Sequence, residues 1–163
     1  CIRDRDESYE YSDEIKKGLD FIFSEVTVET IDGVNVANWG PRLIYETSIA
    51  MMAIASSKAP GEIVNVPGSP VNGLTYKEVV QLGLNYLEKT QKTDGGWRYS
   101  LSNPLEESDN SNTGYAVLGL IYAQKFGITI HPAIIDPGLK NFVAVIQDVD
   151  GLSLIHIPEP TTP

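Results

Sequence analysis

The sequence predicts an all-α protein: a partial two-layer ring, with one-sided helices outside and wholly apolar helices inside, about two and a half helix pairs in all. Three observations carry that expectation. Apolar residues recur at helical spacing in separate segments, two further segments are apolar on nearly every side, and the two kinds alternate along the chain.

The one-sided helices show the clearest period. Over 75–91, Val80, Leu84, Leu87 and Gln91 fall on one stripe of a 3.6-residue repeat, while Lys77, Glu78, Glu88 and Lys89 are left for water. Thr75 reads as the N-cap, with Glu78 completing a capping box. The stretch from Ser12 to Ser24 is similar, setting Ile15, Leu19, Ile22 and Phe23 against Lys16 and Lys17. A third, over 136–147, has Pro137 in its first turn, where a missing N–H costs nothing.

The apolar helices fall over 49–55 and 115–123. Neither carries a charge, and both use small residues: Ala50, Ala53 and Ala55 in one, Ala116 and Gly119 in the other. A helix apolar all round is expected to be buried all round, and small residues let neighbours approach closely.

The segments repeat. Tyr86-Leu87-x3-Gln91-x3-Gly95-x-Trp97 is echoed by Phe142-Val143-x3-Gln147-x3-Gly151, with the glutamines 56 residues apart. Upstream, Phe21-Ile22 precedes Tyr86-Leu87 by 65 residues, and Thr47-Ser48 precedes Thr113-Gly114 by 66. Two segments sharing nearly one offset mark an internal duplication. Val26 takes the glutamine position in the first unit, and Trp39 in Asn38-Trp39-Gly40 is the degenerate counterpart of Trp97.

Composition narrows the function classes. A formal net charge of -10 and a pI near 4.5 weigh against nucleic acid, which needs basic patches to replace its counterions. With 42% hydrophobic and 21% charged residues, the chain resembles an ordinary folded domain. Cys1, the single cysteine, forms neither an intrachain disulfide nor a thiolate cluster. The longest apolar run, 115–123, is nine residues, far short of the ~20 that a membrane span needs.

The expected organisation is a linker over 1–11, with Asp4, Asp6, Glu7 and Glu10 solvated, an incomplete repeat domain over 12–151, and a tail over 152–163. The tail, Leu152-Ser153-Leu154-Ile155-His156-Ile157-Pro158-Glu159-Pro160-Thr161-Thr162-Pro163, resembles a translated sequencing-library adapter. It is set aside from functional argument, His156 included. Starting at Cys1 without a methionine, the chain is expected to be a fragment.

Gln91-x3-Gly95-x-Trp97, preceded by Tyr86-Leu87, resembles the QW motif of squalene cyclases and protein prenyltransferases, and the resemblance extends over about 12–151. It implies an α/α toroid, of which this chain would be a part. It also implies a structural role for Gln91, Gly95, Gly96 and Trp97, and for Gln147 and Gly151 in the next unit. In that family the glutamine ends the outer helix, the glycine turn redirects the chain inward, and the indole stacks nearby. The stretches Gly95-Gly96-Trp97-Arg98-Tyr99 and Ser108-Asp109-Asn110-Ser111 also resemble modules of large archaeal and bacterial cell-surface proteins, which favours an extracellular setting.

The chemistry of that family does not carry over. Squalene cyclases protonate an alkene with an Asp-x-Asp-Asp cluster, whereas Asp148-Val149-Asp150-Gly151 lacks the last carboxylate and falls on the corner turn. Prenyltransferases hold zinc with Asp, Cys and His; Cys1 is terminal, and His131 lies in a loop before Pro132. No cofactor or metal is expected, and no catalytic residue is assigned. Glu106-Glu107 with Asp109 reads as a solvated charge run, and 60–73 as a long loop between layers.

The function expected is a non-catalytic binding or architectural module of a larger surface protein. Its ligand would be a glycan, lipid or protein, and the remaining repeats of its own parent chain would be its neighbours. The candidate binding residues are Trp39, Tyr45, Trp97, Arg98, Tyr99, Asp109 and Asn110, with helix capping the simpler role for Asp109 and Asn110. Two alternatives stay open. One is an isoprenoid cyclase or prenyltransferase-like enzyme whose acid or metal site lies in other repeats. The other is a carbohydrate-binding or -processing module that uses these aromatics beside carboxylates.

Overall fold

A computed structural model describes residues 11–41, 43–99 and 108–134. The elements run α1 (Ser12–Ser24), β1 (Val26–Ile31), β2 (Val34–Trp39), α2 (Ile44–Ser56), α3 (Tyr76–Thr90), α4 (Asn110–Lys125) and the single turn α5 (Pro132–Ile134). The expected helix over 136–147, the motif residues Gln147 and Gly151, Glu106 and Glu107, and the tail lie outside the described residues, as does all of the 1–11 linker except Tyr11.

The all-α expectation is overturned. The fold is mixed: β1 and β2 pair antiparallel, from Val26 against Trp39 to Ile31 against Val34, between the two helices of the first unit. The partial toroid of helices alone falls with it. The local cause is plain in the sequence. Val26-Thr27-Val28 and Val34-Asn35-Val36 flank Asp32-Gly33, and both turn residues adopt positive φ (48° and 76°), as a two-residue hairpin turn requires. The period of two over these residues is short beside the helical periods that flank it.

The helices follow their local signals. Thr75 Oγ1 accepts the Glu78 N–H at 3.2 Å, and the Glu78 carboxylate accepts the Thr75 N–H at 2.7 Å, closing the capping box at the start of α3. The Thr75 N–H, and the Thr75 hydroxyl that also donates to it, hold the Glu78 carboxyl below its ordinary range. At its other end, α4 stops where Gly127 takes φ +86°. There Gly127 N donates to Gln124 O at 3.0 Å, and Ile128 N to Ala123 O at 3.1 Å.

The core gathers around α2, α3 and α4. Tyr86, Leu84, Leu87 and Val79 from α3 are fully buried, with Met51 and Ile54 from α2 and Trp97 after α3. The hairpin lies against α3, where Asn85 Nδ2 donates to Asn35 O at 2.9 Å. Helices α2 and α4 pack side by side, and a Cβ built on Gly119 would meet the Ser48 backbone at 3.4 Å. The loop over 57–75 is ordered by its own bonds, including Val64 N to Leu74 O at 2.8 Å, and it buries Val64 and Val71.

All-round burial of the apolar helices is also corrected. Ile49 is 47% exposed, Leu118 41% and Ile121 39%. Both helices bury one broad face and leave the other open, because the described elements packed against them cover only one side.

Candidate functional site

Two corners dominate the end of the molecule where α2 and α4 begin. In the second, α3 ends at Thr90, and the chain folds back through Lys92 N to Gly96 O and Gly95 N to Lys92 O, both 2.9 Å. Gly95 takes φ +92°, which a side chain would resist. Gln91 Nε2 donates to Gly95 O at 2.8 Å and to Ile134 O at 2.9 Å, tying the turn to the end of the described chain. Trp97 then closes the corner. Its indole N–H donates to Leu87 O at 2.8 Å, and its backbone N–H to Thr113 Oγ1 at 3.0 Å.

Gly96 is fixed by contact rather than by φ. A Cβ there would lie 2.6 Å from Ser108 Cβ and 2.7 Å from Thr113 Oγ1. The Asp94 carboxylate accepts from Ser108 N at 2.9 Å, Ser108 Oγ at 2.5 Å and Gly96 N at 3.1 Å, lashing the corner to the start of α4. Partial burial pushes its carboxyl up, but these donors together hold it below the usual range.

Asp109 caps α4 as expected, accepting the Asn112 N–H at 2.9 Å and also hydrogen-bonded by Ser111 Oγ and Asn112 Nδ2. Partial burial raises its carboxyl as well, and the same donors outweigh it. Asn110 is the first residue of α4.

The first corner solves the same problem differently. Trp39 ends β2, its indole N–H donates to Ile22 O at 2.8 Å, and its backbone N–H donates to Thr47 Oγ1 at 3.1 Å. Val26, at the glutamine position, is buried and begins the hairpin that replaces the glycine turn. Trp39 and Trp97 are 4% and 0% exposed, so neither presents a face to a ligand.

A separate aromatic group is open to solvent. Tyr45, in the first turn of α2, lies 6.1 Å from Tyr99 with the rings 10° from parallel. Its other neighbour is Tyr115 of α4, 4.4 Å away and tilted by 43°. Tyr99 is 42% exposed, while Tyr45 and Tyr115 are half-buried. Of the residues singled out in the sequence, the structure brings Tyr45 and Tyr99 together and sends both tryptophans to the core. Arg98, beside them in sequence, is half-buried.

Sequence reasoning misses Tyr115 because it heads an otherwise apolar run. Its signal is its place in the second turn of a buried helix, where a phenol finds a wet edge.

Two acceptors stand at matching places nearby in sequence. Glu46 Oε2 in the first turn of α2 and Asn112 Oδ1 in the first turn of α4 are both buried without a hydrogen-bond partner, and the residues are 66 apart. A helix N-terminus favours negative charge, which helps hold Glu46 there. Its side chain lies over Gly40, where a Cβ would come within 2.6 Å of Glu46 Cγ.

A cleft of about 650 Å³ lies at the other end of α2 and α4, with Lys58, Tyr122, Lys125 and Phe126 in its wall. Lys125 sits 5.9 Å from the Tyr122 ring centroid, and lysines at helix C-termini complement the carbonyl ends, so this lining has a structural origin. Among the described residues no group of three His, Cys, Asp or Glu is placed to hold a metal ion, and no helix is long and apolar enough to cross a membrane. No family model and no solved structure matches this chain.

Proposed function

We propose that this chain is a non-catalytic binding module of a larger surface protein, with Tyr45, Tyr99 and Tyr115 as the face that meets a glycan. The observation that carries the proposal is the open tyrosine cluster itself, with near-parallel Tyr45 and Tyr99 rings and a half-exposed Tyr99. Flat aromatic faces suit the C–H faces of sugar rings, and phenol hydroxyls donate to and accept from sugar hydroxyls at the rim.

The carboxylates near the corner support binding over catalysis. Asp94 and Asp109 are committed to Ser108, Gly96, Ser111 and Asn112, so neither is poised as an acid or base. The Gln91-x3-Gly95-x-Trp97 corner is the ground for proposing kinship with squalene cyclases and prenyltransferases. There, too, the motif serves as a structural corner.

The test is a titration of the full chain with soluble oligosaccharides of several linkages, followed by NMR of the tyrosine rings and by product analysis. At least one glycan should shift Tyr45, Tyr99 and Tyr115 together and be recovered intact. Tyr99→Ala should weaken it about tenfold while helicity is unchanged, as expected for loss of a stacking anchor. No binding across the panel, or binding indifferent to Tyr99→Ala, ends the glycan proposal. Release of cleaved sugar ends the non-catalytic one.

A further inference from the structure

The duplication leaves one seat filled and its twin empty. Helix α2 rests on α3 and α4, with Met51 over Gly83 and Ser48 against Gly119. A Cβ at Gly83 would be 2.8 Å from Met51 Cγ, so that glycine exists to admit α2. The residues of α1 and α2 that correspond to this seat are Gly18, 65 positions before Gly83, and Ala53, 66 before Gly119. They line an apolar groove of about 350 Å³ between α1 and α2, together with Ile15, Leu19 and Ile22. A Cβ at Gly18 would meet nothing within 4 Å.

The element that corresponds to α2 is α4, which carries the matching ridge exposed. Gly114 stands where Ser48 does and Val117 where Met51 does, each 66 residues on. Leu118 and Ile121 on that side are 41% and 39% exposed, and a Cβ at Gly114 would also meet nothing. A mid-helix glycine costs about 1 kcal/mol relative to alanine, and nothing among the described residues repays that cost at Gly114. Close approach of another helix would.

We propose that the groove between α1 and α2 receives α4 of a second copy of this chain, head to tail, in the geometry by which α2 sits on α3 and α4. Gly114 of one copy then meets Ala53 of the next, and Val117 reaches Gly18. The contact is heterologous, so each copy keeps one free groove and one free ridge, and association proceeds past the dimer. Nothing in it depends on the tyrosine face.

The test is sedimentation velocity on the full chain across a wide concentration range, with Ala53→Arg spoiling the groove and Leu118→Arg spoiling the ridge. Wild type should grow in mass with concentration beyond two copies. Each variant alone should remain monomeric, with association weakened about tenfold or more, as for an interface centre. Mixed together, they should form a one-to-one complex and stop there, because each supplies the surface the other lacks.

A monomeric wild type overturns the proposal, as does association of either variant at the wild-type level, or a mixture that fails to pair. If a variant misfolds by circular dichroism, crosslinking decides instead. In a Cys1→Ser background, Ala53→Cys mixed with Gly114→Cys should give a covalent heterodimer, with little homodimer from either alone. Equal homodimer and heterodimer yields overturn the head-to-tail contact.

Discussion

The hydroxyls of Thr47 and Thr113, 66 residues apart, do one task twice: each accepts the backbone N–H of a tryptophan, Trp39 at 3.1 Å and Trp97 at 3.0 Å. Both threonines are buried, 0% and 3% exposed, so no water replaces the bond if it is lost. Thr47→Val and Thr113→Val each keep the volume and strand one buried N–H. Each should lower stability by about 1–3 kcal/mol in urea denaturation. A neutral result at either site would mean that the threonine bond does not hold its corner.

Gly18 and Gly83 occupy equivalent places in α1 and α3 and should respond with opposite sign. Gly18→Ala meets open space and should raise monomer stability by about 0.5–1 kcal/mol. Gly83→Ala drives a methyl into Met51, with Trp39 Cζ3 only 3.7 Å away, and should cost about 1–3 kcal/mol. Thermal melts at low protein concentration read both.

Tyr86 buries its hydroxyl without a partner, an unusual expense inside α3. Tyr86→Phe removes the unpaired group and should stabilise by about 1 kcal/mol. Burial, with the Glu29 charge adding to it, pushes the phenol's pKa upward. The unfolded phenol ionises near 10 while the folded one holds its proton, so ionisation leaves folding stability untouched below that pH and lowers it as pH rises above it. The phenylalanine variant should lack that share of the alkaline loss when melting temperatures are compared between neutral and strongly alkaline pH.

Acid acts through Asp94 and Asp109. Both have folded pKa values depressed by their hydrogen-bond donors, against partial burial. Their stabilisation is fully present above the unfolded aspartate value of about 3.9 and disappears as pH falls through the lower folded values. Asp94→Asn keeps one acceptor oxygen and removes the charge. It should flatten the acid limb of a stability–pH curve, and an unchanged limb would exclude Asp94 as its source.

Much of the local structure was legible. The limits of α1, the capping box of α3 and the cap at Asp109 follow from residues within one turn of each other, where backbone hydrogen bonds decide the outcome. The hairpin was legible too, in Asp32-Gly33 between alternating β-branched residues, but its six-residue strands are a weak signal between two longer helical periods. The tyrosine face was half-legible: Tyr45 and Tyr99 stood out as aromatics beside polar residues, whereas Tyr115 was hidden in an apolar run.

By itself the sequence determined the extents of α1 and α3 and the caps at Thr75 and Asp109, because caps and periodicity act over a few positions. Only the tertiary structure decided which tryptophan faces were consumed, which sides of α2 and α4 stayed open, and that three tyrosines from separate segments meet. Those outcomes depend on how a few helices share one another's surfaces. Short-range pattern sets which side of a helix is apolar, but the number and placement of its neighbours set which apolar side is covered.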